Sequence, residues 1–201
     1  MDQARFARAR ARHRHSLSVE PGVSPNLRFA RLFFEPGAQL EIARGFATER
    51  QEGNQIRLGA GAHVRLERDV WLRTECGPNR ITAFPGATIR VGARSLVNGA
   101  MLHAKRSIEI GEDASIGFGV RILDADLHDL DRSHPEQVDP VTLGDRVWVG
   151  ADALILRGVH IGDDVVVGAR SVVTHDLPAR VLALGVPAQP VREIESRVGC
   201  R

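Results

Sequence analysis

From Leu143 onward the chain places a branched aliphatic residue at every sixth position: Leu143, Val149, Ile155, Ile161, Val167 and Val173. The position four residues after each is small or aliphatic: Val147, Ala153, Val159, Val165, Ser171 and Leu177. Glycine follows the aliphatic at Gly144, Gly150, Gly162 and Gly168. Ile110, Ile116 and Ile122 carry the same register earlier, with Ala114, Val120 and Asp126 at the companion positions, and Leu58, Val64 and Val70 form a third set. A looser motif recurs in the first half as PGAQLEI (36–42), AGAHVRL (60–66) and PGATIRV (85–91), a spacing of about one and a third eighteen-residue coils.

A period of six fits neither a helix nor a simple alternating strand. It describes a short strand, a turn, and the repetition of both, so that three hexads close one triangular coil. The aliphatics point inward and the coils stack through parallel strand hydrogen bonds. Glycine is expected to relieve each turn. The architecture predicted is an all-β solenoid, which by itself carries no activity.

Composition agrees. Hydrophobic residues make up 43% of the 201 residues, aromatics only 4%, and tyrosine is absent. A narrow prism has room for Val, Ile and Ala but not for rings. The formal net charge is +2, unevenly spread. Residues 1–15 hold Arg5, Arg8, Arg10, Arg12 and Arg14 against one acid, Asp2. Only Phe6 interleaves with these arginines, so the arm reads as a solvated tail or short helix and not as a nucleic-acid binder. Weak contact with an anionic membrane surface is the one partner it would suit. The start shows no apolar signal region, and no run approaches a membrane span. Cys76 and Cys200 form neither a disulfide framework nor a zinc pattern. A cytoplasmic protein is the expectation. The chain divides into a basic arm and lead-in (1–30), the solenoid (31–195) with a loop at 127–140, and a tail (196–201).

The hexads break once, after Ile122, and resume at Leu143. The break contains Asp124-Ala-Asp-Leu-His-Asp-Leu-Asp131, one histidine among four aspartates. Such a cluster can be a solvated loop, a metal site, or a base held by carboxylates.

The run from Val141 to Glu193, with its WVGA, GARSVVT and GVPA segments, closely resembles the hexapeptide-repeat acyltransferases. It is most similar to the sugar and polysaccharide O-acetyltransferases, the branch that includes galactoside and maltose acetyltransferases. The resemblance implies a left-handed parallel β-helix, a homotrimer with active sites between subunits, acetyl-CoA as donor, a glycan or small-molecule acceptor, and no metal. It implies that His128, in the Asp-x-Asp-x-His segment, is the catalytic base. One aspartate, Asp124 or Asp126, would then fix the imidazole tautomer; Asp126 occupies an inward companion position, where a buried carboxylate needs a partner. Asp129 and Asp131 read as loop solvation.

The resemblance further places Asn98 in the acceptor site, against its reading as a turn asparagine before Gly99. Trp148 falls near the coenzyme arm or the acceptor, or packs against a neighbouring subunit. For coenzyme A the implied residues are Gly150 and Ala151, whose amides are candidates for the oxyanion hole, then Ala169, Arg170 and Thr174 along a ridge, and Arg192. Here the chain departs from the galactoside branch: His175 stands where lysine is common, Gln189 where a basic residue often sits, and Arg170 replaces a glycine. Three rivals remain. They are a metal-dependent hydratase using His103, His128 and His134, a non-catalytic scaffold, and an acetyltransferase for an antibiotic or other small acceptor.

Overall fold

The computed structural model describes residues 15–49 and 53–200; the arginine arm before His15 lies outside them. Among the described residues, twenty-two short strands and one 3-10 turn (Pro25–Phe29) make up the regular structure. The strands fall into three faces visited in rotation from the second strand to the twentieth. Face 1 runs from Leu17–Val19 and Gln39–Ile42 through Ser107–Ile110 to Val141–Leu143 and His160–Ile161. Face 2 includes Trp71–Arg73, Leu96–Asn98, Ser115–Ile116, Trp148–Val149 and Val166–Val167. Face 3 includes Arg31–Phe34, Gln55–Leu58, Arg80–Ala83, Met101–Ala104, Arg121–Leu123, Leu154–Ile155 and Val172–Val173. All neighbours pair in parallel except the closing hairpin of Val181–Gly185 with Ala188–Glu193 on face 2.

The hexad aliphatics fill the prism. Val149, Ile155, Ile161, Val167 and Val173 are fully buried, and their companions Val147, Ala153, Val159, Val165 and Leu177 nearly so. Each buried branched aliphatic contributes about 1.5–3 kcal/mol, before the cost of ordering the chain. Thr142 pairs with His160, Trp148 with Val166 and Leu154 with Val172, so one coil takes eighteen residues here.

Three expectations need correcting. The looser repeat of the first half is one full coil, not one and a third: Gln39 pairs with His63 and His63 with Thr88, all on face 1. These coils are wider because the strands of faces 1 and 3 run to four residues with two inward side chains, such as Leu40 with Ile42 and Val64 with Leu66. The lead-in assigned to 1–30 also joins the fold, since Leu17–Val19 is the first strand of face 1 and Leu27 is buried.

Glycine does relieve turns at Gly37, Gly61, Gly86 and Gly158, but the glycines that follow the hexad aliphatics have a different reason. Gly144, Gly150 and Gly162 do not take positive φ; Arg146, Asp152, Asp164 and Arg170 do, at 57–60°. Glycine is required because coils approach closely. A Cβ on Gly150 would lie 2.6 Å from the Ala169 nitrogen, and one on Gly162 would lie 2.6 Å from that of Ala179. Along the corner between faces 1 and 2 the positive-φ residues are Asp69, Arg94, Asp113, Arg146, Asp164 and Arg180, stacked coil on coil and alternating in sign.

Candidate active site

The break in the hexads leaves the prism at the corner between faces 3 and 1, between Leu123 and Val141. It is a hairpin-like excursion: Asp126 N–H donates to the Gln137 carbonyl and Asp139 N–H to that of Asp124. Asp124 is fully buried, and its two oxygens accept the N–H groups of Lys105 and Arg106 at 2.7 Å each. It anchors the start of the loop to the coil below and, among the described residues, makes no hydrogen bond with His128. Asp126 is exposed, not inward as its hexad position suggested, because the register ends at Ala125. Arg157 Nε donates to Asp126 Oδ1 at 2.7 Å and holds that carboxyl below its usual range. Neither aspartate therefore orients the imidazole of His128.

His128 itself is exposed and makes no hydrogen bond among the described residues. The residue before it, Leu127, has φ +70°, a conformation costly for a bulky side chain and one that clusters at functional positions. The histidine that does hold a carboxylate is His134: its Nδ1 lies 2.9 Å from both oxygens of Asp131. That pairing lowers the Asp131 pKa. Asp131 also accepts the Ser133 and His134 amides, and Asp129 that of Glu136, so these two carboxylates knit the loop rather than merely solvate it. Their spacing, Asp-x-x-His around a turn, was the sequence signal for this pair.

The remaining candidates stand elsewhere. Asn98 ends a face 2 strand at the corner between faces 2 and 3. Its amide oxygen is buried and without a partner, and the turn conformation falls on Gly99 (φ +57°) instead. Stacked on the same corner are Gly150, Ala151, Ala169 and Arg170. Gly150 N–H is spent on the Val167 carbonyl at 2.8 Å and cannot serve an oxyanion. The exposed N–H groups of Ala151 and Ala169 find no acceptor among the described residues, and they form a short ladder one coil apart. Arg170 is exposed beside them, its own N–H given to the Ala151 carbonyl. Thr174 is not on that ridge: it lies at the next corner, its hydroxyl 2.8 Å from His175 Nδ1. Arg192 is exposed on the closing hairpin, opposite Leu182. Trp148 is half exposed on face 2, and the Arg197 guanidinium covers its ring at 5.4 Å.

Face 3 thus separates the loop corner, with His128, from the corner with Asn98 and the free amides. One chain does not bring them together. The hydratase triad is not assembled either: His103 is half-buried on face 3 against Phe84, in register with Leu123 where the loop departs, and among the described residues no group of three or more His, Cys, Asp or Glu side chains is placed to hold a metal ion. No helix among them is long and apolar enough to cross a membrane.

A triangular parallel prism of hexads with one excursion at a corner defines a left-handed β-helix of the transferase type. The family described as "Bacterial transferase hexapeptide (six repeats)" matches residues 140–175. Galactoside O-acetyltransferase of Escherichia coli (strain K12) is 44% identical over 70 residues, 35% of this chain and 34% of that protein. The match therefore spans about a third of that relative's length. The crystal structure of a maltose O-acetyltransferase from Clostridium difficile 630 is 31% identical, with a TM-score of 0.53, covering 69% of this chain and 71% of that one. A hexapeptide-repeat acetyltransferase of Vibrio cholerae, solved in complex with acetyl coenzyme A, is 25% identical with a TM-score of 0.53, covering 76% and 72%. This chain belongs to the hexapeptide-repeat acetyltransferases.

Proposed function

We propose that the protein transfers an acetyl group from acetyl-CoA to a hydroxyl of a sugar, in the assembly of a surface polysaccharide, at sites shared between the subunits of a homotrimer. The observation that carries this reading is the division of the site. The loop with His128 and the corner with Asn98 and the Ala151 and Ala169 amides lie on opposite edges of face 3, so a complete site requires a second copy. The exposed large apolar side chains Phe118, Trp148, Leu184 and Val186 lie on face 2 or in the turns that follow it, and they suit a subunit contact.

In this reading His128 is the general base. It takes the proton as the acceptor oxygen bonds to the thioester carbonyl carbon; the carbon–sulfur bond then breaks, and the proton passes to the departing thiolate. No acyl-enzyme forms. The Ala151 amide stabilises the oxyanion. Asn98, with an unused acceptor and two donors, binds an acceptor hydroxyl. Ala169, Arg170, Thr174 and Arg192 serve coenzyme A.

A second reading makes His134 the base, because it alone of the two loop histidines has a carboxylate on Nδ1, leaving Nε2 free. Thiol release from acetyl-CoA with a panel of free and nucleotide-linked sugars separates the two. His128→Ala should slow turnover by roughly two to four orders of magnitude while His134→Ala loses less than tenfold. The reverse order moves the base to His134. No turnover with any acceptor, together with no binding of coenzyme A, would leave a scaffold protein.

A further inference from the structure

The arginines of the first half are not distributed like with like. Those on face 1 are matched by acids: Arg65 by Glu41 and Glu67, and Arg90 by Glu67 at 2.9 Å. Those on face 3 are not. Reading the outward positions strand by strand gives Arg31 and Phe33, Gln55 and Arg57, Arg80 and Thr82, Met101 and His103, Arg121 and Leu123, then Leu154 and Val172. No aspartate or glutamate is among them. Arg31, Arg57, Arg80 and Arg121 are exposed, and none makes an ion pair among the described residues. The pairing register puts Arg31, Gln55, Arg80, Met101 and Arg121 in one row across five consecutive strands. Guanidinium groups therefore recur every second strand, about 9.5 Å apart.

We infer that this face holds the acceptor, and that the acceptor is an acidic glycan whose carboxylates pair with the row Arg31, Arg80 and Arg121. This rests on the sugar acetyltransferase reading above and specifies its substrate class. Planar guanidinium and carboxylate groups match in bidentate geometry. The polar side chains between the arginines, Gln55 and Thr82, are an amide and a hydroxyl, suited to sugar hydroxyls. The row runs along the corner that carries Asn98, which stands beside Met101 between Arg80 and Arg121: a groove of about 120 Å³ there is lined by Pro78, Arg80, Gly99, Met101, Gly119 and Arg121. A chain bound along the row would thus pass beside the residue assigned to the reacting sugar. Single-stranded nucleic acid fits less well. It needs open stacking platforms, and the one exposed ring on the face, Phe33, is already covered by Arg57 at 5.1 Å. A second copy laid here would set arginine against arginine, and like charges repel.

The test is direct titration of the full-length protein, without acetyl-CoA, using tetragalacturonate, its methyl ester and an oligothymidylate of equal charge. The acid should bind, weaken with added salt, and lose at least about tenfold in affinity in the double variant Arg80→Gln, Arg121→Gln. The ester should not bind. A control double variant on face 1, Arg65→Gln with Arg90→Gln, should bind as the unsubstituted protein does. Equal binding of acid and ester, tighter binding of the oligothymidylate, or loss in the control variant would each overturn the inference. So would a change in oligomeric mass in Arg80→Gln, Arg121→Gln without any glycan binding. Turnover with neutral sugars and no tetragalacturonate binding would overturn it while leaving the acetyltransferase reading intact.

Discussion

Arg157 reaches across the base of the loop to Asp126, its Nε donating to Oδ1 at 2.7 Å, and its second arm meets Asp139 Oδ2 at the same distance. One guanidinium from the coil after the loop thereby clips the outgoing and returning stems together. Substituting Arg157→Gln should cost little stability, under about 1 kcal/mol, since both pairs are largely exposed. Turnover should fall by about tenfold or more, because the loop that positions His128 loses its brace. Steady-state kinetics beside a melting curve checks this: a drop confined to kcat supports a positioning role, and a melting temperature that falls in step with the rate removes it.

Packing between coils gives the second prediction. Gly150→Ala places a methyl 2.6 Å from the Ala169 nitrogen and should destabilise by about 1–3 kcal/mol. Gly61→Ala meets nothing within 4 Å but must keep φ +66°, so its cost is the conformational one alone, about 1 kcal/mol. Denaturant midpoints of the two variants should differ in that order. The same midpoint for both would mean that the coils can spread to admit a side chain.

His103 supplies a pH dependence. Burial removes water from its ring, and Arg80 opposes its protonation, so its pKa lies below the ordinary value of about 6.5. The folded state disfavours the imidazolium. Stability is therefore whole above that ordinary value and is lost as pH falls through it toward the lower folded pKa. His103→Gln should flatten the melting temperature against pH in this window. Parallel curves for the two proteins would assign the acid sensitivity to other groups.

The sequence made the hexad half of the fold legible because each inward position carries an aliphatic, from Leu143 to Val173. The first half was harder. Its strands on faces 1 and 3 bury two residues each, so Leu40 and Ile42 blur a six-residue count. The loop was located by the same counting, yet its internal wiring was not readable. Asp126 sits at an inward phase by number, but the chain has already left the prism. Asp124 accepts amides of the coil below, whereas Asp129 and Asp131 accept amides of the loop itself, and nothing in the sequence separates these roles. Gly37, Gly61 and Gly86 do relieve left-handed turns, whereas Gly144, Gly150 and Gly162 are needed for close approach, and sequence does not distinguish the two. The face 3 arginines are spread over ninety residues of sequence and become a row only when the strands are stacked.

The tail is tied in by a similar device. Asp164, nearly buried, accepts Arg146 Nε and the Arg197 N–H at 2.7 Å each, and Arg197 in turn covers Trp148. Asp164 belongs to the corner where Asp69, Arg94, Asp113, Arg146, Asp164 and Arg180 follow one another. Where the partners meet, as Arg94 with Asp113 and Arg146 with Asp164, the pKa values of both members move to favour the charged forms. A coil of identical hexads has no intrinsic way to count: a strand laid one rung too far would find equally good valines. On this corner such an error sets cation on cation or anion on anion at the rung where it occurs. The alternation therefore works as a parity check on assembly, written in charge along a stack whose interior cannot tell one coil from the next.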